Sequence, residues 1–242
     1  MARLYLFAEG QTEQTFADTI LVPHLAHFGV YLRRSVLIAT GRRHGRVHRG
    51  GGRMYLPMKN DILRFLRQER GQDVFFTTMI DLYAIHADMP GLAAAEPLRH
   101  DPHRRVREIE RSFANDIGDP RFIPYIQLHE FEAFLFAGVE SFGYFYDGAE
   151  KAIGNLKAIA DAHASPEQID DGPQTAPSKR IIENLPGYEG AKPTVGPQVA
   201  ELIGLATIRA KCPHFDGWVS RLEALGRLAP VPQLDNPAVP PA

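Results

Sequence analysis

Short apolar runs alternate with helical patterns in the first half of the chain. Four runs predict strands, because they are rich in β-branched and aromatic residues: "LYLFA" (4–8), "SVLIAT" (35–40), "DVFFTTMIDLY" (73–83) and "RFIPYIQL" (121–128). Apolar residues at helical spacing predict a helix capped by Thr12, a second over 59–70 and a third over about 102–117. Strands that alternate with helices indicate right-handed crossovers and a mostly parallel, four-stranded α/β sheet flanked by helices.

Strand patterns stop at residue 129. The segments from "EFEAFLF" to "FDGWVSRLEALG" repeat apolar residues at helical spacing, and the last stretch, "LAPVPQLDNPAVPPA", is rich in proline. We therefore predict an α/β domain over 1–138 and a C-terminal helical lobe over 139–226 packed on it. Residues 227–242 are predicted to form a disordered tail, because a proline-rich segment cannot pack or pair well.

The composition is that of an ordinary globular protein. Of 242 residues, 44% are hydrophobic and 23% are charged, and the single cysteine excludes an internal disulfide. No apolar segment approaches the roughly 18 residues of a membrane span, so we expect a cytoplasmic protein without membrane contact. The net charge of −2 gives no overall attraction to nucleic acid, so any such binding has to come from local clusters of positive charge.

Acidic residues follow three of the predicted strands. Glu9 comes directly after the first strand, Asp81 ends the third, and Glu130 and Glu132 lie just past the fourth. Ligands of open parallel sheets collect beyond the carboxyl ends of the strands. Mg²⁺ prefers oxygen ligands, so acids that converge at this edge suit metal-dependent phosphoryl transfer.

Each acid alone also has a purely structural interpretation. Glu9 and Glu13 would complement a helix N-terminus, which favours negative charge, and Asp81 would close its strand as a turn residue. The segment "HEFEAFLF" would be an amphipathic helix with its phenylalanines in the core and both glutamates in solvent. The acids at the three strand ends, taken together, favour the metal site.

A basic segment, "GRRHGRVHRGGGR" (41–53), follows the second strand. Its arginines are candidates for contacts with nucleic-acid phosphates, because it contains no acid and its glycines allow a flexible backbone. These candidates are Arg42, Arg43, Arg46, Arg49 and Arg53. The alternative is a solvated loop.

Five motifs resemble a known bacterial family: "AEGQTEQTF", "MIDLY", "HEFEAFLF", "PSKRI" and "IGLATIRAKCPHFDGW". They resemble the family called domain of unknown function 4276, over most of residues 3 to 222. That family is similar to Toprim-fold proteins, among them RloB-like proteins and the nuclease halves of overcoming-lysogenisation-defect systems. The resemblance implies a Toprim-like core and a setting in bacterial defence, in some cases beside an ATPase gene.

The resemblance also implies roles for the acids. Glu9 matches the Toprim glutamate, a general acid/base or metal ligand, and Gly10 after it would let the chain turn without blocking a substrate phosphate. Asp81 matches the first acid of the Toprim Asp-x-Asp motif, but Tyr83 stands where the second acid belongs. Asp88 and Glu132 are the two candidates for the missing carboxylate, and Glu132 resembles the acid of the RloB-like Phe-Glu-x-Trp motif.

Basic residues of the helical lobe complete the candidate site. Lys179 and Arg180 match the family's Lys-Arg pair and would stabilise charge on a phosphate; their alternative is helix-terminal surface charge. Arg209 would be oriented toward the acidic edge by the packing of Trp218, or would be an ordinary surface charge.

The resulting hypothesis is a Mg²⁺- or Mn²⁺-dependent nuclease of bacterial defence that acts on DNA or RNA with an ATPase partner. The alternative is a non-catalytic sensor or adaptor that binds a nucleic acid, a nucleotide or a partner with a degenerate Toprim site. Phosphotransfer on a small molecule is less favoured, because the basic segment is large. The substrate, the metal count and a homo-oligomeric state stay open.

Overall fold

The fold is described from a computed structural model, which covers residues 1–33, 35–43, 46–49, 54–83, 85–169 and 175–228. The predicted tail beyond Leu228 and the basic residue Arg53 lie outside the described residues. In the described part of the chain, no helix combines the length and the apolar character needed to cross a membrane.

Eight strands are present within the described residues: β1 (Ala2–Ala8), β2 (Val30–Leu32), β3 (Val36–Leu37), β4 (Ala39–Arg43), β5 (Arg46–Arg49), β6 (Val74–Asp81), β7 (Phe122–Ile123) and β8 (Ile126–Gln127). Six of them form one parallel sheet in four positions, in the order β2/β3, β1, β6, β7/β8. The predicted fold class is confirmed: a mostly parallel sheet with helices on both faces. β1 and β6 are its central strands.

Strand boundaries differ from the predictions in three places. β2, only three residues long, was not predicted. The predicted strand over 35–40 ends its pairing with β1 at Leu37, and β4 then leaves the sheet and pairs antiparallel with β5, so the described residues of the basic segment form strands rather than a loop. Pro124, which has no N–H to donate, divides the predicted strand over 121–128 into β7 and β8.

The Thr78 side chain forms hydrogen bonds with the backbone between β7 and β8. Thr78 Oγ1 accepts a hydrogen bond from the N–H of Tyr125 at 2.9 Å and donates one to the Tyr125 carbonyl at 2.9 Å. Both groups are buried, and a buried peptide group without a partner would cost free energy. β8 can therefore resume pairing with β6, which brings Gln127 beside Asp81.

Nine α-helices are present within the described residues: α1 (Gln11–Phe16), α2 (Val22–Ala26), α3 (Tyr55–Gln68), α4 (Pro102–Ile117), α5 (Glu150–Asp161), α6 (Pro177–Asn184), α7 (Tyr188–Ile203), α8 (Leu205–Lys211) and α9 (Pro213–Leu228). A π-helical stretch, Ala17–Leu21, joins α1 to α2. The predicted cap at Thr12 is wrong, because Gly10 is the N-cap residue and the helix begins at Gln11. Pro23 lies in the first turn of α2, where its missing N–H costs little.

The hydrophobic core has one layer on each face of the sheet. On one face, α3 and α4 pack on β6 and β7 through residues such as Ile62, Val106 and Phe122. On the other face, α1, α2 and the helices beyond residue 138 pack on β1 and β2. The helices beyond residue 138 thus supply most of one of the two core layers.

The contact between lobe and sheet centres on Trp218. Its side chain is 3% exposed, and its ring stacks on Tyr125 with centroids 4.2 Å apart. Its indole N–H donates a hydrogen bond of 2.9 Å to Thr77 Oγ1 on the central strand β6. Phe215 and Ile208 are fully buried beside it. The predicted docking of this segment against the sheet is confirmed.

Candidate metal centre at the strand ends

Glu9 and Asp81 meet at the carboxyl ends of the two central strands. β1 and β6 run parallel with Ala8 opposite Met79, and the N–H of Glu9 continues the ladder to the Met79 carbonyl at 3.0 Å. The side chain of Glu9 then bends over the end of β6, where its Oε2 accepts a hydrogen bond of 2.9 Å from the N–H of Asp81. The strand-end rule therefore placed these two acids correctly.

Asp81 has an unsatisfied buried oxygen. Its Oδ1 is inaccessible to solvent and has no hydrogen-bond partner among the described residues. Burial raises the pKa of Asp81 well above its ordinary value, and the charges of Glu13, Glu9, Glu132 and Glu130 raise it further. A buried carboxylate oxygen without a partner is costly, so this position requires a proton or a cation.

Glu13 belongs to the same group of acids. It lies in the first turn of α1, is 6% exposed, and its Oε2 accepts the N–H of Gly10 at 2.8 Å. Burial, followed by the charges of Glu9 and Glu132, raises the pKa of Glu13 to about 8. Glu13 thus lies in the first turn of the helix, as the structural interpretation expects, and it also belongs to the group of acids at the site.

Gly10 has a different role from the predicted sharp turn. Its backbone is extended, with φ −140° and ψ −174°, a conformation open to any residue. A Cβ at this position would lie 3.0 Å from Glu13 Oε2. A side chain at this position would therefore have to displace the Glu13 carboxylate.

Glu130 and Glu132 follow an unusual backbone position at His129. His129 is the one non-glycine residue with positive φ in the described chain, at 66°, and its carbonyl accepts the N–H of Tyr83 at 2.9 Å. The chain then enters a 3₁₀ helix, Phe131–Ala137, whose residues are all buried. Glu130 and Glu132 are 9% and 6% exposed, so the interpretation with both glutamates in solvent is wrong.

Glu132 is paired with two residues of α7 that the sequence analysis did not single out. Lys192 Nζ lies 3.5 Å from Glu132 Oε1, and the Tyr188 hydroxyl donates to the same oxygen at 3.4 Å. Burial raises the pKa of Glu132, and the charge of Lys192 offsets part of this effect. Both partners lie on α7, more than fifty residues away along the chain, so their pairing depends on tertiary packing.

The predicted Lys-Arg pair lies at the beginning of α6. Glu130 Oε2 accepts the N–H of Ser178 at 2.9 Å, so this helix N-terminus faces the acids. Lys179, the next residue, is exposed, and Arg180 donates from Nε to the Thr175 carbonyl at 2.8 Å. The backbone of α6 reaches the acids, and neither basic side chain has a described contact with them.

Two further candidate residues are held elsewhere. Asp88 accepts hydrogen bonds from the N–H of Tyr55 at 3.2 Å and from His86 Nδ1 at 2.7 Å, and no described contact joins it to Asp81. Arg209 pairs with Asp216 at 2.5 Å and with Glu223, so its predicted orientation toward the acids is not observed. Asp88 caps α3, and Arg209 ties α8 to α9.

The basic segment has a defined backbone at four of its arginines. Arg42 and Arg43 lie in β4, and Arg46 and Arg49 lie in β5, with Arg43 opposite Arg46. A two-stranded hairpin outside the main sheet carries these residues on a short length of chain. Their contact with phosphates stays a prediction.

The donor chemistry of the site fits a hard divalent cation. Glu9, Asp81 and Glu132 offer carboxylate oxygens, and the unpartnered Asp81 Oδ1 is an open acceptor. The arrangement is not a preformed cage, because no three Asp, Glu, His or Cys side chains in the described residues stand at metal-binding positions. A cation would have to draw the carboxylates together.

Comparisons with known proteins establish the family. The model of the family "Domain of unknown function (DUF4276)" matches residues 8–223, and the chain therefore belongs to this family. A structure similar to it is the C-terminal region of the Burkholderia pseudomallei OLD protein, with 16% identity and a TM-score of 0.43 over 93% of this chain and 100% of the other. No curated protein is significantly similar in sequence.

Proposed function

We propose that this protein is a nuclease that hydrolyses phosphodiester bonds with Mg²⁺ or Mn²⁺ at the ends of β1 and β6. The observation that carries the proposal is the buried Asp81 Oδ1, which has no hydrogen-bond partner among the described residues and lies near other acids. Structural carboxylates of this kind normally have an Arg or Lys partner or several N–H donors. Asp81 has neither among the described residues.

Glu9, Asp81 and Glu132 would hold the ion. When bound, the ion would polarise a phosphate oxygen and lower the pKa of a bound water. Glu9 also keeps Asp81 in place, because its Oε2 holds the N–H of Asp81. Asp88 is not included in this set, since its Oδ1 is bound to Tyr55 and His86 and no described contact joins it to the other acids.

Lys192 reduces the net negative charge of the site. Its ammonium group offsets the charge of Glu132, which would otherwise be a buried carboxylate beside other acids. Glu13 reduces the charge in a second way, because a pKa of about 8 keeps it largely protonated at neutral pH. The site can therefore fold without metal and can still accept a divalent cation.

The substrate is proposed to be nucleic acid, with the hairpin β4–β5 as a contact for its phosphates. Support comes from the four arginines on this hairpin and from the absence of any acid between residues 41 and 53. Changing Arg42, Arg43, Arg46 and Arg49 to Ala should weaken DNA or RNA binding and flatten its dependence on salt. An unchanged salt dependence would remove the hairpin from the proposal.

The biological setting is proposed to be bacterial defence with an ATPase partner. Support comes from the family motifs "AEGQTEQTF" and "HEFEAFLF", which resemble those of defence-associated Toprim proteins. The ATPase would control access of the nucleic acid to the carboxylates. Co-purification of the chain with the product of an adjacent ATPase gene tests this part separately.

A cleavage assay tests the catalytic part. The purified chain, alone and with the ATPase partner, is incubated with DNA and RNA in Mg²⁺, Mn²⁺ or a chelator. We expect metal-dependent cleavage that Glu9→Gln and Asp81→Asn each abolish, whereas Glu201→Gln, an exposed acid on α7, leaves it unchanged. Cleavage by Asp81→Asn at the wild-type rate would contradict the proposal.

A non-catalytic sensor or adaptor is the second candidate function. Two observations favour it: Tyr83 replaces the second acid of the Asp-x-Asp motif, and no three metal-binding side chains of the described chain are preassembled. This candidate predicts nucleic-acid binding without cleavage in any metal, and with the same affinity in wild type and Asp81→Asn.

A further inference from the structure

A second site lies at the edge of the sheet, apart from the carboxylates. A pocket of about 290 Å³ opens between the first half of α4, the break at Pro124 and the first half of α9. None of the acids at the strand ends lines it. Its inner wall is aromatic, because Tyr125 stacks on Trp218 on one side and on His214, with centroids 5.2 Å apart, on the other.

Two arginines without partners line this pocket. Arg107 lies on α4 and Arg221 lies on α9, and both side chains are exposed. Neither guanidinium makes a hydrogen bond or ion pair with any described residue, in contrast to Arg3, Arg121 and Arg209, which have acidic partners. Two unpaired guanidinium groups on separate helices leave their donors available to an anion.

The acids near the pocket are already engaged. Glu110 Oε1 accepts the N–H of Ile126 at 2.8 Å and lies 3.1 Å from His214 Nε2. The Glu167 carboxylate is fully buried and accepts the N–H groups of His214 at 3.0 Å and of Phe215 at 2.9 Å. Both carboxylates therefore have hydrogen-bond partners within the fold, and the lining carries two arginines against one acid, Glu110.

The two imidazoles add to this polarity. The rings of His103 and His214 lie 6.4 Å apart, and both line the pocket. Burial lowers the pKa of His214, but its hydrogen bond to Glu110 and the charge of Glu110 raise it more, so the net shift is upward. Burial, followed by the charges of His214 and Arg107, lowers the pKa of His103. A bound anion would relieve the repulsion among these groups.

We propose that this pocket binds a small phosphate-bearing anion, whose phosphate lies between Arg107 and Arg221 and whose remaining part lies against Pro124, Pro213 and the edge of Trp218. Guanidinium groups match the geometry of phosphate oxygens with paired N–H donors. The volume of 290 Å³ is that of roughly ten waters at about 30 Å³ each, which is more than a bare phosphate fills. A mononucleotide has both the charge and the size.

Trp218 makes binding directly observable, because it is the single tryptophan of the chain and lines the pocket. The full-length chain is titrated in a chelator, which keeps divalent ions from the carboxylates. The probes are a nucleoside monophosphate, the same nucleoside without phosphate, inorganic phosphate and a short oligonucleotide. Affinities come from Trp218 fluorescence and, independently, from calorimetry.

The matched variants change two exposed arginines on the same pair of helices. Arg107→Ala with Arg221→Ala removes the lining charges, whereas Arg104→Ala with Arg227→Ala removes two charges outside the lining. We expect the first pair of substitutions to weaken binding of the nucleoside monophosphate at least about tenfold, because charged hydrogen bonds to the phosphate are lost. The second pair should leave the affinity unchanged.

The four probes separate the sources of the phosphate. Tighter binding of the nucleoside monophosphate than of inorganic phosphate supports a mononucleotide, and equal binding supports free phosphate. Three results would overturn the proposal: no binding of either, equal loss in both arginine pairs, or an oligonucleotide that binds through Arg107 and Arg221 much more tightly than the monophosphate. The last would make the pocket part of a nucleic-acid track.

Discussion

Glu9 Oε2 accepts the backbone N–H of Asp81 at 2.9 Å, so the two acids are joined across the ends of neighbouring parallel strands. A strand end normally leaves such an N–H to solvent or to a turn. Here a carboxylate accepts it, and the Oδ1 of Asp81 is buried with no hydrogen-bond partner in the described part of the chain. The central claim is that this arrangement exists to hold a divalent cation.

Lys192 should stabilise the metal-free fold through Glu132. Lys192→Met removes the charge and keeps the length, and we expect it to lower the free energy of unfolding by about 1–2 kcal/mol near neutral pH, because Glu132 is left buried without a cation. Urea denaturation measures this change. Lys192→Arg keeps the charge and should lower the free energy of unfolding much less. Equal stability of wild type and Lys192→Met would contradict the role.

Stability should fall as pH rises, because of Glu13. Its pKa is about 8 in the folded chain against an ordinary 4.5, so the folded state binds the proton more tightly. The resulting contribution to the free energy of unfolding is fully present below pH 4.5 and is lost as the pH rises to about 8. Glu13→Gln should flatten the pH dependence of the unfolding free energy over that interval. A wild-type slope in the variant would contradict the raised pKa.

Gly196 of α7 lies in a closely packed position beside Tyr188 and Phe131. A Cβ there would lie 2.9 Å from the Tyr188 hydroxyl and 3.4 Å from Phe131. We expect Gly196→Ala to destabilise the fold by about 1–3 kcal/mol, the usual cost of overpacking. Gly190→Ala, on the same helix with nothing within 4 Å, is the control and should be neutral or stabilising. Thermal melting of both variants compares them directly.

The contribution of the C-terminal helices to stability can be tested at Trp218. Trp218→Ala removes a buried ring and its hydrogen bond to Thr77, and we expect a loss of about 3–5 kcal/mol. Trp218→Phe keeps part of the ring stacking on Tyr125, so it should lower the free energy of unfolding less. Chemical denaturation gives both values, and a wild-type midpoint for Trp218→Ala would show that the lobe contributes little to the core.

The sequence predicted the parts of the site that depend on local pattern. Glu9 and Asp81 were found because buried strands end at them, and parallel strands bring such ends to one edge. Lys192 and Tyr188 were missed, because their pairing with Glu132 depends on how α7 packs on the sheet. The positive φ at His129 was also missed, because such a backbone is uncommon for any residue other than glycine and no local pattern marks it here.

Some strand predictions were wrong for similar physical reasons. β2 has three residues, too few to show a period, and it forms because α2 returns the chain to the edge of β1. The break at Pro124 was readable from the proline, but the resumption of pairing at Ile126 depends on Thr78, which lies on another strand. The arginine-rich hairpin was predicted as a loop, because its glycines oppose regular structure.

The most direct test of the central claim is the thermal stabilisation of the chain by Mg²⁺ or Mn²⁺. A cation that binds only the folded carboxylates must raise the melting temperature. We predict a rise for wild type and for Glu201→Gln, none for Glu9→Gln and Asp81→Asn, and a partial rise for Glu132→Gln. The same metal-dependent rise in Glu9→Gln and Asp81→Asn as in wild type would contradict the account.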